Sequence, residues 1–275
     1  MESTGPKPAR DLDPVTIAGI AVLAYSLANI VHEGLGHGGA CLLLGARPTM
    51  FNAIFFNYDE TTASDTAQRL IAAAGSVVNV IVGLPIIALL RKRPAMAPSL
   101  RYFLWLFAAV NLLTSFGYLL YSGVGGIGDW ARVIHDIEPS LLFRVTMSAI
   151  GAWLYFIVAP GLVMPALDPF LGLDPEERTR RAKVLMLLPY FIGAATLIAA
   201  GMFNPLGMWV VLISAAAASL GGTSLLAWYY AKPRKPSALA QSPPLGIARS
   251  WGWIAASVVV LAVFVFVLGP GIGKL

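Results

Sequence analysis

The sequence predicts an all-α, polytopic integral membrane protein of about seven transmembrane helices. Three observations carry this. Of 275 residues, 57% are hydrophobic and only 12% charged, whereas a soluble domain carries about 25% charge. Mean hydropathy is +0.74. The charges are also unevenly spread, leaving long uncharged runs that can each cross about 30 Å of hydrocarbon as a helix. Backbone polar groups in lipid must bond within their own segment, so such runs are helices. The alternation expected of a membrane barrel is absent. Intrinsic disorder is excluded by the hydrophobicity, and a disulfide framework by the single Cys41.

Residues 1–14 are polar and Pro-containing and read as a disordered cytoplasmic tail. Residues 15–44 carry one formal charge, Glu33, and form the first span. It is not a cleaved signal peptide, because Asp11 and Asp13 precede it and no small-residue cleavage site follows a short apolar core. Residues 70–90, 102–127 and 145–167 carry no charge and give spans two to four. Residues 184–231 are also uncharged but too long for one span, and Asn204-Pro205-Leu206-Gly207 divides them into two. A Pro- and Lys-containing linker at 232–248 precedes the last span at 250–273. Residues 15–140 thus form a three-helix core, and 141–275 an additional four-helix region.

The basic residues set an expected orientation. The N-terminal tail and the loops after spans two, four and six hold 14 of the 19 Lys and Arg residues, including Arg91, Lys92, Arg178, Arg180, Lys183, Lys232 and Arg234. The positive-inside rule then puts the N-terminus in the cytoplasm and the C-terminus outside. The same bias explains the pI near 9.4 without a nucleic-acid partner.

The chemistry lies in the first span. Two of the three histidines fall in His32-Glu33-Gly34-Leu35-Gly36-His37, inside an otherwise apolar helix. Ionisable residues there cost about 2.5–3.5 kcal/mol each on insertion scales, so they mark function. Two imidazoles and a carboxylate are zinc donors, and a His-Glu pair followed by a second His is the zinc-protease arrangement, with both His as ligands and Glu as proton acceptor. The alternative is a set of interhelical hydrogen bonds without metal. The common spacing is four residues; here it is five, which on a regular helix turns the two His about 140° apart. A π-bulge would return them to nearly one face. The His-Glu-x-x-Gly-His spacing resembles that of the dipeptidyl peptidase III family, whose helix carries one extra residue and still supplies both zinc ligands.

Three segments resemble the site-2 proteases, a family of intramembrane zinc metalloproteases. They are HEGLGHGGACLLLGARP at 32–48, AAAGSVVNVIVGLP at 72–85 and AVNLLTSFGYLLYSGVGGIGDWARV at 109–133. In the second, Ala74, Gly75 and Asn79 match the family's Ala-Gly-Pro-x-x-Asn, with Ser76 in place of Pro. In the third, Asn111-Leu112-Leu113 matches, and Asp129 stands where the family has its third zinc ligand, followed by Trp130 instead of Gly. The resemblance implies His32, His37 and Asp129 as metal ligands, Glu33 as the catalytic base, and Asn79 and Asn111 as groups that hold an opened substrate backbone. Topology agrees independently: His32 and Asp129 both fall toward the outer ends of spans that run from inside to outside.

His135, in ARVIHDIEP, is the rival third ligand; alternatively His135 or Asp136 is a group that supports the ligands. A carboxylate among the ligands is common in catalytic zinc sites, which favours Asp129. Cys41 is expected as a small core residue rather than a thiolate ligand. Residues 49–58 (TMFNAIFFNY) are too short to span, and read either as an interfacial aromatic loop or as an extended segment that pairs with an unwound substrate by strand addition.

The sequence therefore predicts a zinc-dependent intramembrane endopeptidase whose partners are the bilayer and the transmembrane helix it cleaves. The alternative is a non-proteolytic metal-binding membrane protein acting as an assembly or regulatory subunit. A transporter is disfavoured, since no inverted repeat or paired broken helices occur.

Overall fold

A computed structural model describes residues 11–92, 95–232 and 234–273. Residues 1–10 of the expected tail at 1–14, Arg93 and Lys274 of the charge pattern, and the C-terminal Leu275 lie outside them. In chain order the elements are α1 (Pro14–Leu43), β1 (Arg47–Phe51), β2 (Phe56–Asp59), α2 (Asp65–Lys92), α3 (Pro98–Gly125) and α4 (Asp129–Val133). They continue with α5 (Ser140–Phe170), α6 (Pro175–Gly201), α7 (208–221), α8 (Leu225–Trp228), α9 (Trp251–Leu268) and β3 (Ile272–Gly273). Helices α1, α2, α3, α5, α6 and α9 are each long and apolar enough to cross a membrane, and each covers one of the uncharged runs. The remaining run, expected as a seventh span, is divided: α7 ends in a turn at 222–224 before the short α8.

Helix α1 sits at the centre and packs against α2, α3, α6 and α9. Its start is fixed by Asp13, whose carboxylate accepts from the Thr16 N–H at 2.8 Å, with Pro14 at the first helical position. The Arg249 guanidinium reaches the same carboxylate at 2.8 Å, and Leu12 pairs with Ile247. The entries of α1 and α9 are thereby held together, and residues 11–13 are ordered on the bundle.

Polar side chains tie the helices. Tyr102 donates to the Leu185 carbonyl and the Trp105 indole to that of Val163, both at 2.8 Å, and Tyr25 meets Thr223 at 2.9 Å. Each is worth about 0.6 kcal/mol on average in a membrane. Large apolar side chains face outward instead, Leu43 at 89% and Trp209 at 76% exposure, as lipid-facing surfaces require.

A three-stranded antiparallel sheet, in the order β2-β1-β3, follows the metal-motif helix. Arg47 pairs with Asp59 and Phe51 with Phe56, with an irregularity between Pro48 and Met50. The turn is closed by Asn52, whose side-chain oxygen accepts from the N–H groups of Ile54 (2.8 Å) and Phe55 (2.9 Å). Strand β3, from the far end of the chain, pairs with β1 at Met50 and Phe51. Among the described residues, β2 keeps one edge unpaired. The segment at 49–58 is therefore largely extended rather than an irregular loop.

Candidate metal centre

Helix α1 changes its winding where the chemistry lies. Over Val31–Gly38 it makes i→i+5 turns, the wider winding that a five-residue His spacing requires. His32 and His37 consequently share a face, with ring centroids 4.8 Å apart and planes at 82°. The ligating atoms of His32, Glu33 and His37 all lie within 4.8 Å of one another, and all three residues are buried. This group could hold a metal ion.

Asp129 completes the arrangement from another helix. Its Oδ2 is 3.2 Å from Nε2 of His32 and 3.2 Å from Nε2 of His37. Gly128, at φ +83°, allows the chain to turn back after α3 and bring α4 over the bundle. The Asp129 N–H then donates to the Tyr118 hydroxyl at 3.3 Å. Further along, Arg69 donates to the Val133 carbonyl at 2.7 Å, and Arg132 reaches Gln68 and Asp65. Helix α4 is thus pinned to α2, and Asp129 has little freedom to leave.

The outer nitrogens of both imidazoles are also held. The His37 Nδ1–H donates to the Ile71 carbonyl at 2.7 Å, which in the neutral imidazole leaves Nε2 with its lone pair aimed inward. His32 Nδ1 lies 3.4 Å from the amide nitrogen of Asn79, while Asn79 Oδ1 is buried without a partner. A half-turn of this amide, which leaves its shape unchanged, lets Oδ1 accept from His32 Nδ1–H. That satisfies the orphaned oxygen and fixes the His32 tautomer with its Nε2 lone pair inward as well.

A metal fits these residues. Two inward imidazole nitrogens, one carboxylate oxygen and an adjoining glutamate form a zinc-type donor set. The backbone leaves room for an ion at their meeting point: a Cβ on Gly75 would lie 2.6 Å from both Nε2 atoms. The same glycine lets α2 touch α1, since a Cβ on Gly36 would lie 2.5 Å from Gly75 Cα. No larger residue at either position permits this approach.

The centre opens on a cavity of about 250 Å³, whose walls include Glu33, Phe56, Tyr58, Tyr118 and Asp129. The Glu33 carboxylate lies beside the backbone N–H of Phe56, the first residue of β2. The unpaired strand edge is therefore next to the prospective base.

The remaining expected residues fall elsewhere. His135 is exposed and pairs with Asp136 at 2.8 Å, away from the centre, because the four residues of α4 that follow Asp129 carry the chain off along α2. Asn79 stands behind His32 instead of lining the cavity. Asn111 is fully buried and donates to the Phe107 carbonyl of its own helix at 2.7 Å, so it is not offered to the cavity. Cys41 is buried, with Sγ 3.4 Å from the Ala46 carbonyl, and acts as a core residue. Tyr118, whose ring is 5.9 Å from that of His32, and Asn29, a cavity residue bonded to the Ala53 carbonyl, carried no signal in the sequence. Comparison with family models, curated proteins and solved structures finds no match to this chain.

Proposed function

We propose that the chain is a zinc-dependent intramembrane endopeptidase of the site-2 protease type, cleaving a transmembrane segment of a membrane protein. The observation that carries this reading is the convergence of His32 Nε2, His37 Nε2 and Asp129 Oδ2, at 3.2 Å, beside a buried glutamate that is not needed as a ligand. Zinc bound there would supply a Lewis acid that polarises a carbonyl and brings the pKa of its water toward neutrality.

The chain's own residues account for the other requirements. Glu33 adjoins the ligands and accepts the proton of the attacking water. Ile71 and Asn79 hold the two imidazoles. The free edge of β2 pairs with a locally unwound substrate, whose carbonyls are shielded while it is helical. In this reading the α7–α8 stretch forms a seventh, interrupted crossing, the N-terminus is cytoplasmic and the C-terminus lies outside.

A metal protein without peptidase activity would share the same centre. Three departures from the protease pattern, the five-residue His spacing, Ser76 in place of Pro and Trp130 in place of Gly, have structural accounts: i→i+5 winding restores the His pair to one face, and the Trp130 indole donates to the Ser76 hydroxyl. The discriminating experiment is incubation of the reconstituted chain with a panel of single-span membrane proteins, wild type beside Glu33→Gln. Cleavage by the wild type that falls about 100-fold or more in the variant, with metal retained, supports the protease. A variant that cleaves at the wild-type rate rejects it.

A further inference from the structure

A cavity that shares no lining residue with the metal centre is strongly basic. It has a volume of about 960 Å³ and is bounded by the first turns of α6 and by the chain after α8. Six cationic side chains line it, Arg178, Arg180, Lys183, Lys232, Arg234 and Lys235, against one acid, Glu176. A surface that only marks topology needs positive charge but no concavity.

The cations are organised rather than scattered. Lys232 Nζ sits 4.7 Å from the Trp228 ring and 5.0 Å from that of Tyr229, and the Arg234 guanidinium lies 5.3 Å over Tyr229. Arg178 is buried against Asp168 at 2.5 Å. The other oxygen of Asp168 accepts the Ser237 N–H at 2.8 Å, so the one buried carboxylate under the cavity is already engaged at both oxygens. Among the described residues Lys183, Lys232, Arg234 and Lys235 form no ion pair, and Arg234 Nε is buried with no hydrogen-bond partner. Clustered positive charge held by aromatics, with an unsatisfied buried donor, is a site for an anion with several acceptor oxygens.

We propose that this cavity binds a phosphate group, borne by the headgroup of an anionic membrane lipid. The volume far exceeds a single phosphate ion, its other walls include Leu171, Ala182 and Tyr230, and it lies where apolar spans give way to a basic loop. Basic pockets of this kind between membrane helices take anionic headgroups. The site is independent of the metal and of any proteolysis.

The test uses the full chain in nanodiscs, with lipid retention read by native mass spectrometry. Nanodiscs contain phosphatidylcholine with about one-tenth phosphatidylglycerol, and a parallel arm adds inorganic phosphate at millimolar concentration. The wild type is expected to retain phosphatidylglycerol about tenfold above its share of the bilayer. Lys183→Gln with Arg234→Gln should abolish that enrichment. Arg91→Gln with Lys92→Gln removes the same charge from another loop and should leave it intact. If inorganic phosphate binds at the same residues and no lipid is enriched, the phosphate assignment holds and its lipid source is overturned. If both double variants lose enrichment equally, or neither does, the cavity is not the site. Unchanged metal content and thermal unfolding in the variants exclude a folding defect.

Discussion

The Trp130 indole donates to the Ser76 hydroxyl at 3.1 Å. These are two of the positions at which the chain departs from the site-2 protease pattern, and they meet each other directly beside the metal centre. Ser76 is further fixed because its carbonyl accepts from Ser115 at 2.8 Å. The bond links α2 to the residue after Asp129, so it positions a carboxylate that lies against both histidines. Trp130→Phe and Ser76→Ala are each expected to weaken metal retention about tenfold, the low end for groups that orient ligands. Because both break one bond, the double variant should be no worse than the more damaging single variant. Metal titration of the four proteins measures this, and simple additivity would remove the bond from the account.

Gly75 is expected to tolerate no side chain. In Gly75→Ala the new methyl would stand 2.6 Å from both Nε2 atoms, in the space an ion must occupy. Metal content should fall at least tenfold while the helix content, read by circular dichroism, stays unchanged. Stoichiometric metal in this variant would mean that the ion does not sit between the two imidazoles.

Asn79 should act through its acceptor oxygen. Asn79→Asp keeps an acceptor for His32 Nδ1–H and should hold metal, whereas Asn79→Leu should lose about 10–100-fold in affinity. Equal behaviour of the two variants, read by competition with a chromophoric chelator, would place the role of Asn79 in packing alone.

The hairpin beside the centre should loosen in acid. The Asp59 carboxyl is held below its ordinary value of 3.8, chiefly by hydrogen bonds from Thr61 and then from Arg47. A carboxyl lowered in the folded state contributes stability above its unfolded value and loses it as pH falls through the folded one. Exchange protection at Phe56–Asp59, measured against the intrinsic rate at each pH, should therefore fall below about pH 4, and Asp59→Asn should remove that pH dependence. A protection factor in the wild type that is flat across this range would contradict it.

Much of this was legible in the sequence, and the reasons differ by residue. The long helices follow from charge-free runs, because a bilayer punishes every unpaired polar group. The wide turn at Val31–Gly38 was legible because five-residue spacing of two buried histidines leaves a helix few ways to use both. Asp129 was reachable through the resemblance, and the expected topology, in which two spans of the same direction end on the same side, is compatible with it. The pairing of β3 with β1 joins residues more than 200 positions apart through backbone bonds, which leave no compositional trace. Tyr118 looked like any aromatic in an apolar helix. The side to which Asn79 and Asn111 turn depends on helix rotation, and in α3 rotation carries Asn111 away from the cavity.

The central claim is that His32, His37 and Asp129 hold one metal while Glu33 does not. The most direct measurement is the metal-to-protein ratio of the purified chain from zinc-replete cells, by inductively coupled plasma mass spectrometry. The expected result is about one zinc per chain in the wild type and in Glu33→Gln, near zero in His32→Ala and His37→Ala, and a reduced ratio in Asp129→Asn. Metal-free wild-type protein, or Glu33→Gln as empty as His37→Ala, would contradict it.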